Sequence, residues 1–298
     1  MKKVVLILIV LFGGVSLYGQ GDAVLTQQWF SRINVNPAAT GNTNDFNVFM
    51  LHKTHWTGFK DGAQTTMLNA HNYFENINSG VGLSLAYDKE GALQTNYNAK
   101  VAYAYHLNFG DAALLSLGLG LNLQNRSINF GDAIFTTPEY LDRGKESKTK
   151  VDFDFGLEFN LPRFTFGASI NRIGKSSITQ LNNFQNGQQV YTYARYRITF
   201  VDGVDFAPSL SYIYGNRTDL WEAGGVLFLL NKLWVGASYR FDIATTFLAG
   251  FEFNMFRVGY AYDHFIQDSK NLRGSHEIML SVKVPHAKRS ATGRVVND

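Results

Sequence analysis

Apolar residues alternate with small or polar residues along SGVGLSLAYDKEG, residues 79–91. Val81, Leu83 and Leu85 fall on one side of an extended chain, and the glycines and serine between them fall on the other. Because successive side chains of a β-strand point to opposite faces, this pattern predicts one apolar face and one small or polar face. A soluble β-sandwich would bury the apolar face in its core, whereas a membrane barrel would turn that face to lipid.

The same alternation recurs along most of the chain. We predict about 14 strands of roughly ten residues, which is the length that crosses a bilayer as a tilted strand. The expected strands start near residues 45, 63, 79, 93, 112, 151, 163, 191, 205, 218, 232, 244, 255 and 274.

Short and long connections alternate between these strands. The short ones are residues 108–112, 161–163, 201–205, 230–232 and 254–255, and the long ones are residues 131–150, 173–190 and 264–274. Short turns at one end and long loops at the other are typical of outer-membrane barrels. The pattern therefore predicts an all-β fold, a transmembrane antiparallel β-barrel of about 14 strands. An even number of strands places both chain termini on the periplasmic, short-turn side.

Composition agrees with a barrel and excludes several other classes of protein. Only 17% of the 298 residues are charged, against about 25% in soluble proteins. The net charge of +3 is small, and no basic patch is interleaved with aromatic residues, so we expect no nucleic-acid partner. The chain has no Cys, which excludes disulfides, thiolate chemistry and lipid attachment through cysteine.

The chain divides into four segments. Residues 1–19 read as a signal peptide, because a basic start precedes a short apolar run and small residues precede the expected cleavage after Gly19. Residues 20–44 form an N-terminal segment that lies in the periplasm or in the barrel lumen. Residues 45–285 form the barrel, and residues 286–298 form a basic C-terminal tail.

Charges of both signs occupy positions that the alternation turns inward. We predict that they pair in the lumen and close the pore, since buried charge is tolerated when it is paired. The predicted network consists of Asp152, Asp154, Glu158, Arg195, Arg197, Arg240, Asp242, Glu252 and Arg257. Asp152 and Asp154 share one strand face and could alternatively act as an acid/base pair, but the network is the favoured interpretation.

We expect no catalytic, cofactor or metal site. His52 and His55 are three apart on a strand and point to opposite faces, so they cannot share a metal ion. Gly174-Lys175-Ser176 resembles the end of a phosphate loop, but the required earlier glycine is replaced by Ser169. No Ser, His and Asp trio is set by spacing, so the chain is not expected to be an enzyme.

Several stretches in order resemble the PorP/SprF family of type IX secretion outer-membrane proteins. In that family a Gln- and Phe-rich segment leads to an Asn-Pro-Ala turn ending in Gly. Here LTQQWFSR precedes INVNPAATG, which places Asn36, Pro37, Ala38 and Gly41 at the matching positions. The stretches HKTHWTGFKDGAQTTMLNAHNYF, VGLSLAYDKEG and GSHEIMLSV continue the resemblance almost to the end of the chain.

The resemblance implies a non-enzymatic role in type IX secretion and gliding at the outer membrane of a Gram-negative bacterium. In the leading interpretation the barrel supports export and surface attachment of a cognate adhesin. Its long loops, with Phe135, Tyr140 and Arg143, would receive the adhesin's C-terminal domain, since loops on a rigid scaffold commonly bind partners.

Two alternatives remain open. The barrel could anchor periplasmic proteins of the secretion machinery through Trp29, Phe30 and the Asn36-Pro37 turn. It could instead be an outer-membrane channel for small molecules or fatty acids, although only residues 20–44 precede the first strand and could plug such a pore in part.

Overall fold

The structure is a computed structural model, and it describes residues 24–43, 45–58, 62–130, 144–174, 187–215, 218–266 and 273–285. The strands are β1 (Phe46–Thr54), β2 (Gln64–Phe74), β3 (Ser79–Glu90), β4 (Gln94–Asn108), β5 (Leu114–Asn129), β6 (Lys145–Leu161), β7 (Phe164–Asn171), β8 (Gln189–Tyr196), β9 (Ile198–Val201), β10 (Val204–Gly215), β11 (Thr218–Leu229), β12 (Leu233–Arg240), β13 (Ala244–Phe253), β14 (Phe256–Phe265) and β15 (Ser275–Val284). Short 3₁₀ helices occur at Gln27–Phe30, Pro37–Ala39 and Glu75–Ile77. No helix within these ranges has the length and apolar character needed to cross a membrane.

The strands form one closed antiparallel sheet. Neighbours along the chain pair with each other, and β15 pairs with β1 from Phe46 opposite Val284 to Thr54 opposite His276. Strands β8 and β9 both pair with β10 and are separated only by Arg197, so they occupy one position in the barrel. The result is a closed 14-strand barrel, which confirms the predicted fold. Closure leaves no unpaired strand edge, as a bilayer requires.

The alternation of side chains is also as predicted. On β3 the side chains of Val81, Leu83 and Leu85 are exposed on the outside, while Gly80 and Ser84 are buried. On β5 the outward Leu119 is 60% exposed and the glycines on either side of it face inward. An apolar exterior around a closed barrel is the surface that lipid covers, so the apolar faces are the lipid-facing ones.

The turns at residues 75–78, 109–113, 162–163, 202–203, 230–232 and 254–255 lie at one end of the barrel, together with the start of β1 and the end of β15; we call this the inner end. The opposite, outer end has the long connections and also the short turns at residues 91–93 and 241–243. The observed strand starts fall within two residues of the expected ones, except that β6 begins at Lys145 rather than at residue 151. Residues 145–150 are too polar to be read as a membrane strand. They nevertheless pair with residues 124–129 of β5, which extends this hairpin beyond the outer end of β7.

Candidate functional site

Residues 24–43, which we call the lumenal segment, fill the interior of the barrel. Fifteen of these twenty residues are buried, five are half-buried and none is exposed. The carbonyl of Val24 accepts a hydrogen bond of 2.7 Å from Nζ of Lys53, one residue from the outer end of β1. Thr43 is adjacent to the inner end of the same strand. The segment therefore crosses the lumen from the outer to the inner end before the first strand begins.

An ionic cluster near the outer end holds the start of the lumenal segment. The Glu277 carboxylate accepts hydrogen bonds from the backbone N–H groups of Thr26 (3.0 Å) and Gln27 (2.8 Å). Lys53 lies 2.8 Å from Asp263 and 3.5 Å from Glu277. These contacts join the start of the 3₁₀ helix Gln27–Phe30 to three strands, β1, β14 and β15.

Arg240 completes this outer cluster. Its Nη2 donates to the Thr26 hydroxyl (2.7 Å), its Nη1 lies 2.9 Å from Asp263, and its Nε lies 2.9 Å from Glu222. Burial, reinforced by the charge of Lys53, lowers the pKa of His55, just beyond the outer end of β1, to about 4. His55 is therefore neutral at pH 7 and adds no charge to the cluster.

A second ionic contact holds the middle of the lumenal segment. Nε of Arg32 lies 2.9 Å from Oε2 of Glu158 on β6, and both side chains are buried. Glu158 also accepts hydrogen bonds from Tyr193, Asn42 and Asn160. A buried carboxylate with this many donors is a strong anchor, because charge-assisted hydrogen bonds exceed neutral ones in strength.

The Asn-Pro-Ala turn has a direct structural role in the lumen. Asn36 caps the 3₁₀ helix Pro37–Ala39 by accepting a 2.9 Å hydrogen bond from the N–H of Ala38, and proline at the first helical position already has a suitable φ. The Asn36 amide also donates to the carbonyl of Leu157 (3.0 Å) and to the Tyr193 hydroxyl (3.1 Å). One side chain thus shapes the turn and fixes it to β6 and β8.

Inward-facing glycines allow the lumenal segment to touch the barrel wall. A methyl group at Gly118 would overlap the backbone of Pro37 and Ala38, and one at Gly80 would overlap the carbonyl of Thr40. A methyl group at Gly156 would likewise overlap the Asn36 side chain. The inward face of β3, β5 and β6, which the sequence predicts to carry small or polar residues, is therefore the surface that residues 36–41 contact.

The remaining contacts of the segment are apolar and aromatic. Leu25 packs in a buried cluster with Phe49, Leu51, Met67 and Met279. The ring of Phe30 lies 5.0 Å from that of Trp234, and the ring of Trp29 meets Tyr193 edge-on at 5.5 Å. The lumen is thus partly hydrophobic.

The four sequence-predicted binding residues of this segment all lie inside the barrel. Asn36 and Pro37 are buried, and Trp29 and Phe30 are half-buried among lumenal side chains. The anchor interpretation requires them on the inner surface; Trp29 and Phe30 lie inside the lumen but close to that end, next to Arg195 and Trp234. The loop residues Phe135, Tyr140 and Arg143 lie outside the described residues, as do residues 1–19 and 286–298, the predicted signal peptide and tail.

Most of the predicted network charges lie in the lumen, but with partners other than the expected ones. Asp154 pairs with Lys100 (2.6 Å) and Asp152 with Lys150 (2.8 Å), not with arginines. Lys100 also donates to the carbonyl of Asn34 in the lumenal segment (2.6 Å). The two aspartates are therefore held by separate lysines and form no acid/base pair.

The other predicted charges are distributed along the barrel. Glu158, Arg195, Arg240 and Arg257 are buried and Arg197 is half-buried. Glu252 lies 2.7 Å from Nη2 of Arg257 across the β13–β14 hairpin. Asp242 was misplaced by the alternation, because it lies in the β12–β13 turn with a positive φ of 60° and is exposed.

Sequence reasoning missed seven of the thirteen charged residues in the ion pairs described above. They are Arg32, Lys53, Lys100, Lys150, Glu222, Asp263 and Glu277. Asp263 and Glu277 occupy inward positions of β14 and β15 and could have been found by the same alternation. Arg32 could not, since it lies outside any strand. In the described ranges no group of three His, Asp or Glu side chains could hold a metal ion.

Comparison with known proteins identifies relatives at the level of family and fold. The family model for "Type IX secretion system membrane protein PorP/SprF" matches residues 17–282. No curated protein matches the chain. Among solved structures, the CymD monoaromatic hydrocarbon channel is similar with a TM-score of 0.60 at 12% identity, over 93% of this chain and 96% of the channel. The Pseudomonas putida toluene transporter TodX is similar with a TM-score of 0.51 at 12% identity, over 85% and 93%. At these identities the two structures are evidence for the fold alone.

Proposed function

Because the chain belongs to the PorP/SprF family of type IX secretion system membrane proteins, we propose that it supports export of a cognate secreted adhesin and holds that adhesin at the cell surface. In this proposal the protein resides in the outer membrane of a Gram-negative bacterium and is not an enzyme. The adhesin's C-terminal domain binds the long outer connections, and the barrel serves as their rigid scaffold.

The occupied lumen is the observation that carries this proposal. The lumenal segment is buried or half-buried along its whole length, and it is tied to the wall by the Arg32–Glu158 ion pair and by hydrogen bonds from Lys53 and Lys100 to its carbonyls. A lumen filled in this way is poorly suited to pass or hold an exported polypeptide. Binding of a partner therefore belongs on an end of the barrel rather than within it.

The outer end supports this role better than the inner end. The β5–β6 hairpin rises from long paired strands, with residues 145–150 extending the sheet beneath residues 131–143. Aromatic and Arg side chains dominate the energetics of protein interfaces, and residues 131–143 supply Phe135, Tyr140 and Arg143. The inner end, by contrast, has short turns, and Trp29 and Phe30 lie inside the lumen near it rather than on its surface.

The test removes the outer connections while leaving the barrel intact. Residues 131–143 and 175–186 are replaced by short Gly-Ser linkers, and surface display of the cognate adhesin is measured on intact cells by antibody labelling. We expect most of the display to be lost. Heat-modifiable migration on gels checks that the variant barrel still folds.

A matched control replaces residues 267–272, which also connect strands at the outer end, with the same linker. We expect this variant to display the adhesin normally. Display that survives removal of residues 131–143 and 175–186 would contradict the proposal and would move the binding site to the inner end.

A further inference from the structure

One buried cation in the lumen has no counter-ion among the described residues. Arg195 lies on β8 and is 9% exposed. Its Nη2 is buried without a hydrogen-bond partner, and no Asp or Glu of the described ranges lies within ion-pair distance of it. Arg32, Arg240 and Arg257, in contrast, each have a carboxylate within 3 Å.

The charged neighbours of Arg195 are also positive, so positive charge is concentrated around it. The charges that act on it are those of Arg197, Arg32 and Arg257, and all have its own sign. Arg32 is paired with Glu158 and Arg257 with Glu252, whereas the guanidinium of Arg195 approaches the Phe228 ring, with a Cζ-to-centroid distance of 5.3 Å. The guanidinium of Arg197 lies 5.4 Å from the same ring.

Aromatic rings form the walls around this guanidinium. Its Cζ lies 5.6 Å from the ring of Trp29 on one side and 5.3 Å from that of Phe228 on the other. Such contacts attract a cation but supply no acceptor for its N–H groups. A buried charge without a hydrogen-bonded partner is costly, and the position is therefore suited to an anion that comes from outside the chain.

The position of the cluster indicates from which end an anion would enter. Arg195 pairs with Thr165, one residue from the inner end of β7. Phe228 and Arg257 are each one residue from the inner ends of β11 and β14. The cluster therefore lies close to the short-turn end of the lumen, beneath the part of the segment that contains Trp29.

We propose that Arg195, next to Trp29 and Phe228, forms an oxyanion site near the inner end of the lumen and binds a carboxylate or phosphate group. The planar guanidinium fork can give two parallel hydrogen bonds to either group, which a lysine could not. Arg197 adds a second positive charge nearby. The two sources of the oxyanion are a peptide carboxylate and free phosphate.

The site is tested with the purified full-length barrel in detergent. Inorganic phosphate and N-acetyl-phenylalanine are titrated separately, and binding is followed by calorimetry and by tryptophan fluorescence, to which Trp29 contributes. We expect at least one probe to bind saturably. Binding of N-acetyl-phenylalanine but not of its amide identifies a peptide carboxylate as the source, and binding of phosphate alone identifies free phosphate.

Variants connect the binding to Arg195. Arg195→Gln should weaken the bound probe by about tenfold or more, the change expected from losing hydrogen bonds to a charged group. Arg195→Lys keeps the charge but loses the fork and should weaken it to a smaller extent. Arg163→Gln, in the exposed β6–β7 turn at the same end, is the matched control and should bind as the unmodified chain does.

The proposal is overturned if neither probe binds saturably, or if both Arg195 variants bind with unchanged affinity. Because Arg195→Gln removes a buried charge and adds none, the barrel is expected to form, and heat-modifiable gel migration checks that it does.

Discussion

Individual inward positions have the residue type that their neighbour across the lumen requires. Gly118 meets backbone of the lumenal segment, so no side chain fits. Gly120, two residues further along β5, meets only the Asp154 side chain, at 3.2 Å from where a Cβ would lie. Glu158 meets Arg32 and is charged. The choice between glycine and a carboxylate at an inward position thus follows from what that position contacts, and at Gly118 and Glu158 the contact is the lumenal segment.

The Arg32–Glu158 pair gives a prediction at this scale. Glu158→Gln leaves Arg32 buried without its carboxylate and should lower the free energy of unfolding by about 3–5 kcal/mol. Urea unfolding from lipid vesicles, followed by tryptophan fluorescence, measures the loss.

A double variant serves as the control for that prediction. Arg32→Met with Glu158→Leu removes both charges together and should recover most of the stability, because an apolar pair of similar volume often replaces a buried ion pair without loss. If the double variant loses as much as the two single changes combined, the pair is not what holds the segment.

At the scale of elements, the lumenal segment is held by the wall of β3–β6 on one side and by the charges of β1, β12, β14 and β15 on the other. Its two short helical turns use local chemistry, and the Asn36 cap with Pro37 fixes one of them. The wall contributes space through its glycines. The segment can therefore be loosened by filling that space without altering any of its own residues.

Gly118→Ala is expected to displace residues 37 and 38, because the added methyl overlaps backbone that cannot rotate away. Overpacking of this kind costs about 1–3 kcal/mol, so the thermal midpoint should fall. Gly120→Ala, on the same strand and the same face, should change it little, since the Asp154 side chain can shift by a few tenths of an ångström. Equal losses in the two variants would show that the segment does not lie against Gly118.

The number of strands, most strand ends and the lipid-facing side could be predicted from sequence. Side chains alternate between the two faces of a strand, so once one face is apolar the direction of every side chain in that strand is fixed. The start of β6 was missed, since pairing of polar residues outside the membrane carries no hydrophobic signal. The lumenal course of residues 24–43 was only one of two possibilities. Its contacts join residues as far apart as Thr26 and Glu277, and no local pattern encodes such pairs.

At the scale of the whole molecule, the interior of the barrel is occupied by part of the same chain. The barrel resembles CymD in architecture, but fold similarity does not transfer function. Here the lumen is closed by twenty residues of the same chain, with apolar clusters and ion pairs on both sides.

The occupied lumen predicts low ion conductance. In planar lipid bilayers the intact protein should conduct poorly, because the lumenal segment removes the continuous water path. A variant lacking residues 24–43 should give long-lived, larger current steps. Porin-like conductance by the intact protein would contradict a closed lumen and would favour the small-molecule channel.

The contact of Gly80, Gly118 and Gly156 with residues 36–41 also constrains how the gene can diverge. A larger residue at any of these glycines is tolerated only when the opposing backbone has already moved, so substitutions on the two sides must accumulate together. Recombination that exchanged the N-terminal end between two diverged copies would join a segment and a wall never selected as partners. Descendants of this chain are therefore expected to inherit residues 24–43 and strands β3–β6 as a single unit.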